Sequence, residues 1–409
     1  MNSASKKTNK YKWAFISRFR AGAYGWKGSS LAIQRIKEAV SEIKLVNKQD
    51  RRMAAEGAIL FIEKLVPAIG EIDSSSGALG TAVSNTLREL AGIISKAEVE
   101  AKSRGIWLER IWKAVQDDGY SYNESLADYW GQLCVEQEIA SRWADELMNV
   151  TKHSLQFGGY FSGSPACLSC LLVAERYEEL LKVLELASFT WWHYRRFGVQ
   201  ALLQLGNKAA AFRYAKESCG LNDNPSEMEE VCQDILISSG MWQEAYCQYG
   251  IPQLVDRPGL ATFRKVLKKY PGKEKKEMLK DAIENTHGEQ GKWFATAKQL
   301  GLLELAAELA QRSPVEPKTL NRAAMDFQDT NPDFALQAAM ASLHWLSKGW
   351  GYDIMARDVH SAYSTAMEVG RNLGRTIEVE DAIACIVEQD QSPKELLKQV
   401  LGSFVNKQH

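Results

Sequence analysis

Three segments repeat one local pattern, and that pattern restricts the fold more than any other feature. AERYEELLKVL begins at Ala174, LGNKAAAFRYA at Leu205 and SGMWQEAYCQY at Ser239. With Glu175, Gly206 and Gly240 in register, Leu180, Ala211 and Ala245 coincide, and the separations are 31 and 34 residues. A fainter copy, LGLLELAAELA, starts at Leu300 and carries Gly301 and Ala306. A tight turn needs a small residue such as Gly206 or Gly240. The opening turn of the next helix then needs Ala211 or Ala245, where a neighbour passes closely. Large apolar residues on either side fill the groove between helices. A helix pair of this length cannot bury its faces alone, so it stacks on the next pair.

The rest of the chain also reads as all-α. Apolar residues at helical spacing (Leu31, Ile36, Val40, Ile43, Val46) predict a helix from Ser29 or Ser30 to about Asn47. Further helices are expected over Arg52–Leu65, stopping near Pro67, and over Leu79–Ala101. Ile106–Val115, Ser121–Val135 and Gln137–Val150 continue the series, and no proline falls between Pro67 and Pro165. Gly158, Gly159, Gly163 and Pro165 mark the clearest boundary. Later helices fit Pro332–Leu346, Asp353–Asn372, Val379–Glu388 and Pro393–Phe404, with SKGWG at Ser347 as a break. The expected organisation is a basic aromatic arm (1–28), an N-terminal helical domain (29–157), helical hairpins (164–350) and C-terminal capping helices (351–409).

The repeat resembles the tetratricopeptide repeat family, well over Leu171–Gln248 and loosely over Gln299–Leu346, although the family's usual early Trp and Tyr positions are not regularly filled. The resemblance implies a right-handed α-solenoid of degenerate helix hairpins, here behind an N-terminal helical bundle. It also implies peptide or partner-protein binding on a concave face. The whole chain, with its basic aromatic start, looks like an uncharacterised bacterial family of helical-repeat proteins, a likeness that brings no activity with it.

Composition excludes several classes. The 409 residues carry a formal net charge of -1, with 45% apolar and 25% charged residues, an ordinary globular mixture. No apolar stretch approaches the roughly 20 residues of a membrane span. Ala14–Ile16 is too short for a signal core and is followed by Arg18 and Arg20, which predicts a cytoplasmic location. Seven cysteines, an odd number at low density, argue against a disulfide framework.

Candidate chemistry is sparse. Cys167 and Cys170 in ACLSC match half of a zinc site or a redox pair, but no second pair completes the set, so buried thiols are expected and no metal or cofactor is assigned. None of the six histidines makes a ligand motif. Neither SSSGALG nor LQFGGYFSGSP has the ending or context of a phosphate loop. TWWHYRRF is the densest aromatic and basic cluster; Trp191, Tyr194, Arg195 and Arg196 are divided between packing on the preceding hairpin and facing a groove. Trp, Tyr and Arg are enriched at binding hot spots.

The arm is the other candidate. Lys12, Arg18, Arg20 and Lys27 are interleaved with Trp13, Phe19 and Trp26, and nine basic residues precede the first acid, Glu38. Cations neutralise phosphates and rings stack on bases. The same residues suit an acidic protein partner, an anionic membrane surface or a homo-oligomer contact; alternatively, the rings anchor the arm to its own first helices. A second basic run spans Arg264–Lys280. The leading expectation is a non-enzymatic scaffold for a protein or peptide partner. A nucleic-acid-binding component of a bacterial regulatory or defence complex, using the arm, is the alternative. Catalysis by residues converging from distant helices stays open.

Overall fold

The computed structural model describes residues 11–218, 220, 224–392 and 395–405, with side chains as far as 402. The expected basic tail Met1–Lys10, Cys219 and the expected helix start at Pro393 lie outside the described residues. Among the described residues every regular element is helical. The chain divides into two compact units, Met1–Ile235 and Leu236–His409.

The first unit is built from α1 (Ser29–Asn47), α2 (Arg51–Ile69), α3 (Ala78–Ser95), α4 (Ala101–Gln116), α5 (Trp130–Cys134), α6 (Gln137–Phe157), α7 (Ser164–Val173), α8 (Tyr177–Glu185), α9 (Trp192–Gln204) and α10 (Lys208–Lys216). The division falls within α11 (Pro225–Ser238). Helices pack on the next and on the next but one: α2 on α3 and α4, α3 on α5, α6 on α7 and α8, α7 on α8 and α9. This is how stacked pairs hide their apolar stripes, and it begins at α1 rather than after Pro165.

One core runs from Trp13 to Ala201. Gly158–Pro165 is therefore a turn inside a core, where a domain boundary was expected. The arm is also part of this core from Trp13 onward. Trp13, Phe15, Phe19 and Tyr24 are buried. Phe15 and Phe19 meet Phe61 edge-on at 5.4 and 4.9 Å between ring centroids. Gly57 makes room for Trp13, because a Cβ there would lie 2.1 Å from the indole. The backbone is clamped as well: Ala14 N–H donates to Glu42 at 2.8 Å, Gly22 N–H to the Pro67 carbonyl at 2.9 Å, and Asp73 N–H to the Trp26 carbonyl at 2.9 Å.

Helix α2 does not stop at Leu65. It runs through Pro67 to Ile69. Proline removes one helical N–H donor, but Leu65, Val66, Ala68 and Ile69 are all buried by continuing. The C-terminus of α3 is closed by Arg104, 4% exposed, which donates to the Ile94 and Ala97 carbonyls at 2.8 and 2.6 Å. Burial pushes the Arg104 pKa down, and the negative helix end compensates the buried cation. The segment expected as one helix over Ser121–Val135 is a 3₁₀ run, Asn123–Tyr129, followed by α5. It places Trp130 against Trp112 and Trp143, and the three indoles form a triangle with centroids 5.0 to 5.5 Å apart.

The second unit contains α12 (Trp242–Ala245), which passes through a π-turn into α13 (Ile251–Asp256), then α14 (Leu260–Lys269), α15 (Lys275–Asn285), α16 (Phe294–Gln299), α17 (Leu303–Arg312), α18 (Pro317–Phe327), α19 (Pro332–Ser347), α20 (Ala356–Asn372), α21 (Thr376–Glu388) and α22 (Leu396–Val405). The same pairing rule holds, with α17 on α19, α18 on α20, α19 on α21 and α20 on α22. Residues on both sides of 350 share one core, from Ala324 to Leu401, so the C-terminal helices are integral to this unit rather than separate caps.

The repeated signature is a repeated turn. Glu175, Gly206, Gly240, Gly301 and Gly374 have left-handed φ of 58°, 76°, 80°, 75° and 71°. At each, the following N–H closes on the carbonyl five residues back: Arg176 on Leu171, Asn207 on Leu202, Met241 on Leu236, Leu302 on Ala297 and Arg375 on Gly370, at 2.8 to 3.0 Å. Leu180, Ala211, Ala245 and Ala306 are fully buried and Val379 nearly so. The copy at Gly374 was not expected. Because nothing lies within 4 Å of a Cβ built on Gly206 or Gly240, Gly206→Ala and Gly240→Ala should each lose about 1 kcal/mol through backbone strain alone. Glu175→Gly should gain about 0.5 kcal/mol, since Glu occupies the same conformation unfavourably. Urea unfolding midpoints check both signs; a destabilised Glu175→Gly variant would contradict the strain account.

Candidate functional site

The N-terminus of α9 gathers the TWWHYRRF cluster. Trp191 is extended, with φ -136° and ψ 117°, and the helix starts after it. One turn of helix then sends successive side chains in different directions. Trp192 and Tyr194 are buried at 4% each, whereas Trp191 stays 38% exposed. Arg195 donates to the Tyr214 hydroxyl at 2.8 Å and lies 5.0 Å above that ring. Gly198 permits this, because a Cβ there would lie 2.8 Å from Tyr214. Arg196 turns the other way: its Nη2 is 2.5 Å from Asp128 Oδ1, an ion pair without hydrogen-bond alignment. His193 Nε2 approaches the same oxygen at 3.3 Å. Beside them Glu124 accepts from Ser121 at 2.9 Å and from Tyr160 at 2.5 Å. Burial, reinforced by that carboxylate, pushes the Tyr160 pKa up, and burial does the same to Tyr194.

Of the expected binding residues here, only Trp191 stays exposed; its ring is tilted to His193 at 5.4 Å and edge-on to Tyr194 at 5.0 Å. Tyr194 is core, and Arg195 and Arg196 are braces between elements. The Glu124 carboxylate, the Arg195 guanidinium and the Tyr160 and Tyr214 phenols each have a partner inside the chain.

The arm residues are divided in the same way. Trp13 and Phe19 are core, so their faces serve packing rather than stacking on a ligand. Arg18 pairs with Glu38, and Arg35 beside it holds the Glu38 carboxyl below its usual range. Lys12, Arg20 and Lys27 are exposed, and Trp26 is 67% exposed. In the other unit, the Arg264–Lys280 run turns Lys273 back onto Asp281 at 3.0 Å and over the Tyr246 ring at 5.0 Å.

Cys167 and Cys170 are buried on α7. Cys170 Sγ lies 3.9 Å from Cys134 Sγ, and burial pushes the Cys167 thiol up to about 11. Among the described residues no three His, Cys, Asp or Glu side chains gather as metal ligands, and no helix is long and apolar enough to cross a membrane.

A second site was not legible as a motif. Helices α17, α19 and α21 leave between them a groove of about 380 Å³, floored by Leu336, Met340, Ala341, Val379 and Ile386. His344 and the Arg375–Glu378 pair stand at its edges. Burial, with Lys348 nearby, pushes the His344 pKa down, which favours the neutral imidazole. Met340 and Ile386 read in sequence as ordinary apolar stripe residues.

Comparison with family models, with curated proteins and with solved structures gives no match.

The brace is directly testable. Asp128→Ala leaves Arg196 without its carboxylate and should cost about 2 kcal/mol. Its effect and that of Arg196→Ala should fall short of additive by at least about 0.5 kcal/mol. Denaturant unfolding of the four proteins in this cycle measures it, and strict additivity would show that the pair does not interact.

Proposed function

We propose that this protein is a non-enzymatic interaction scaffold, a tetratricopeptide-like right-handed array acting in the cytoplasm, that holds an apolar helical segment of a partner in the α17–α19–α21 groove. The observation that carries this reading is the contrast between the two sites. The charged clusters are internally paired, whereas the groove offers an open apolar floor between rigidly stacked helices. A partner helix would lay residues at i and i+3 or i+4 on Met340 and Ile386, and Arg375, Glu378 and His344 would set its direction at the rim.

Selection of peptides from a displayed random library on the purified full chain tests the proposal. Enriched sequences should carry large apolar residues at helical spacing. Their affinity should fall at least about tenfold with Met340→Glu or Ile386→Glu, since burying an unpaired carboxylate costs more than about 1.4 kcal/mol. Helical circular dichroism should be unchanged. No enrichment, or binding indifferent to both substitutions, would defeat the reading.

A second reading rests on the exposure of Lys12, Arg20, Lys27 and Trp26. These suit single-stranded nucleic acid, where cations meet phosphates and an indole stacks on a base. Replacing Lys12, Arg18 and Arg20 together with Ala should weaken such binding and flatten its salt dependence by about two to three phosphate contacts. A binding curve insensitive to salt removes this reading.

A further inference from the structure

A separate opening lies in the first unit, where α2 and α4 end beside each other. We propose that this cleft binds a small organic cation, an aliphatic amine or guanidine. Its volume is about 630 Å³, within the range of small-molecule sites. The last turns of α2 and α4 form two walls, and the Gly119–Asn123 loop and the Ala21–Gly22 turn complete it.

The first argument is an unpartnered acceptor. Asn123 lines the cleft and is 1% exposed. Its Nδ2 donates to the Ala114 carbonyl at 3.0 Å. A carbonyl can only accept, so this bond fixes the amide's orientation and leaves Oδ1 as the remaining acceptor. No protein donor reaches Oδ1. A buried acceptor in that state costs about 1–3 kcal/mol, and its complement is an N–H group.

The second argument is the sign of the field. Both helices point their C-termini here, with caps at Gly70 and Asp117, so two negative dipole ends converge. Arg110 does not reverse this: its Nε and Nη2 both donate to Glu63 at 2.7 Å. Lys113 is held by Asp117 at 3.2 Å. Glu71, also in the lining, has no paired cation among the described residues. The balance left for a ligand is negative.

The third is the aromatic wall. Gly70 has no side chain, and a Cβ there would lie 2.4 Å from Tyr120 Cε2. The missing methyl lets the Tyr120 ring lean on the end of α2 while remaining 58% exposed. A ring at the edge of an electronegative cleft is suited to a cation–π contact.

Calorimetric titration of the full chain with agmatine and 1,5-diaminopentane tests the proposal, with 1,5-pentanediol and glutarate as neutral and anionic controls. Both cations should bind with Kd below about 1 mM and at least about tenfold tighter than either control. Tyr120→Ala should weaken them about threefold to fivefold, Glu71→Gln about threefold, and Asn123→Leu at least about tenfold. Should Asn123→Leu fail to fold, the two exposed positions still decide. N-acetyl-arginine amide identifies the source. Affinity equal to agmatine assigns the site to an arginine side chain of a peptide, and affinity about tenfold weaker assigns it to a free amine. The proposal falls if the cations bind no better than the controls, or if Tyr120→Ala and Glu71→Gln both leave their affinity unchanged.

Discussion

Where α9 ends, Gly206 takes the backbone into the left-handed region, Asn207 N–H reaches back to the Leu202 carbonyl, and Ala211 sits fully buried five residues past the glycine. The same three events recur around Glu175, Gly240, Gly301 and Gly374, with Leu180, Ala245, Ala306 and Val379 in the buried place. Each helix is stopped and its successor laid alongside by one local conformation that costs a non-glycine residue roughly 1–2 kcal/mol. Because the turn fixes the direction of the next helix, the apolar stripes of successive helices face each other and the chain stacks by construction. Packing then chooses which residues can follow the turn, and small ones are preferred where the neighbour comes closest.

That dependence explains what could be read in advance. Gly206, Gly240 and Gly301 announce the turn, and the buried residue in register with each confirms the phase. Glu175 shows the limit of the rule, since a charged residue holds the glycine conformation there. Gly374 was passed over because Val379 stands where the other glycine-led copies have alanine, although Leu373 and Gly374 repeat the Leu–Gly step of Leu205–Gly206 and Leu300–Gly301. Pro67 misled in the opposite direction: a missing N–H argues for a helix end, but burial of Leu65, Val66, Ala68 and Ile69 outweighs one lost bond. Trp13 and Phe19 show why binding residues resist prediction. An aromatic beside a lysine has the same local sequence whether its ring faces solvent or Phe61, and only Gly57 and Phe61, distant in the chain, decide.

Charge placement follows a related logic. Arg104 is buried with no carboxylate and is held instead by two carbonyls at the end of α3. Arg110 closes on Glu63 with both arms of its fork, and Arg196 closes on Asp128. Each of these arginines ties elements that are far apart in sequence or ends a helix that would otherwise leave carbonyls unsatisfied. Such positions look like candidate reactive residues in a sequence because the residue types are the same. What geometry adds is the partner: two carbonyls for Arg104, Glu63 for Arg110 and Asp128 for Arg196.

The groups that remain available are of a different kind. The groove floored by Leu336, Met340 and Ile386 keeps apolar surface that its own helices do not cover, and the cleft at the ends of α2 and α4 keeps one buried amide oxygen without a donor. Both openings come from the stacking itself. Ala341 lies in the floor of the groove, and Gly70 in the wall of the cleft, where the Tyr120 ring leans on it. The chemistry of each opening is set by what faces the gap: methyl and thioether groups in one unit, helix ends and an amide in the other.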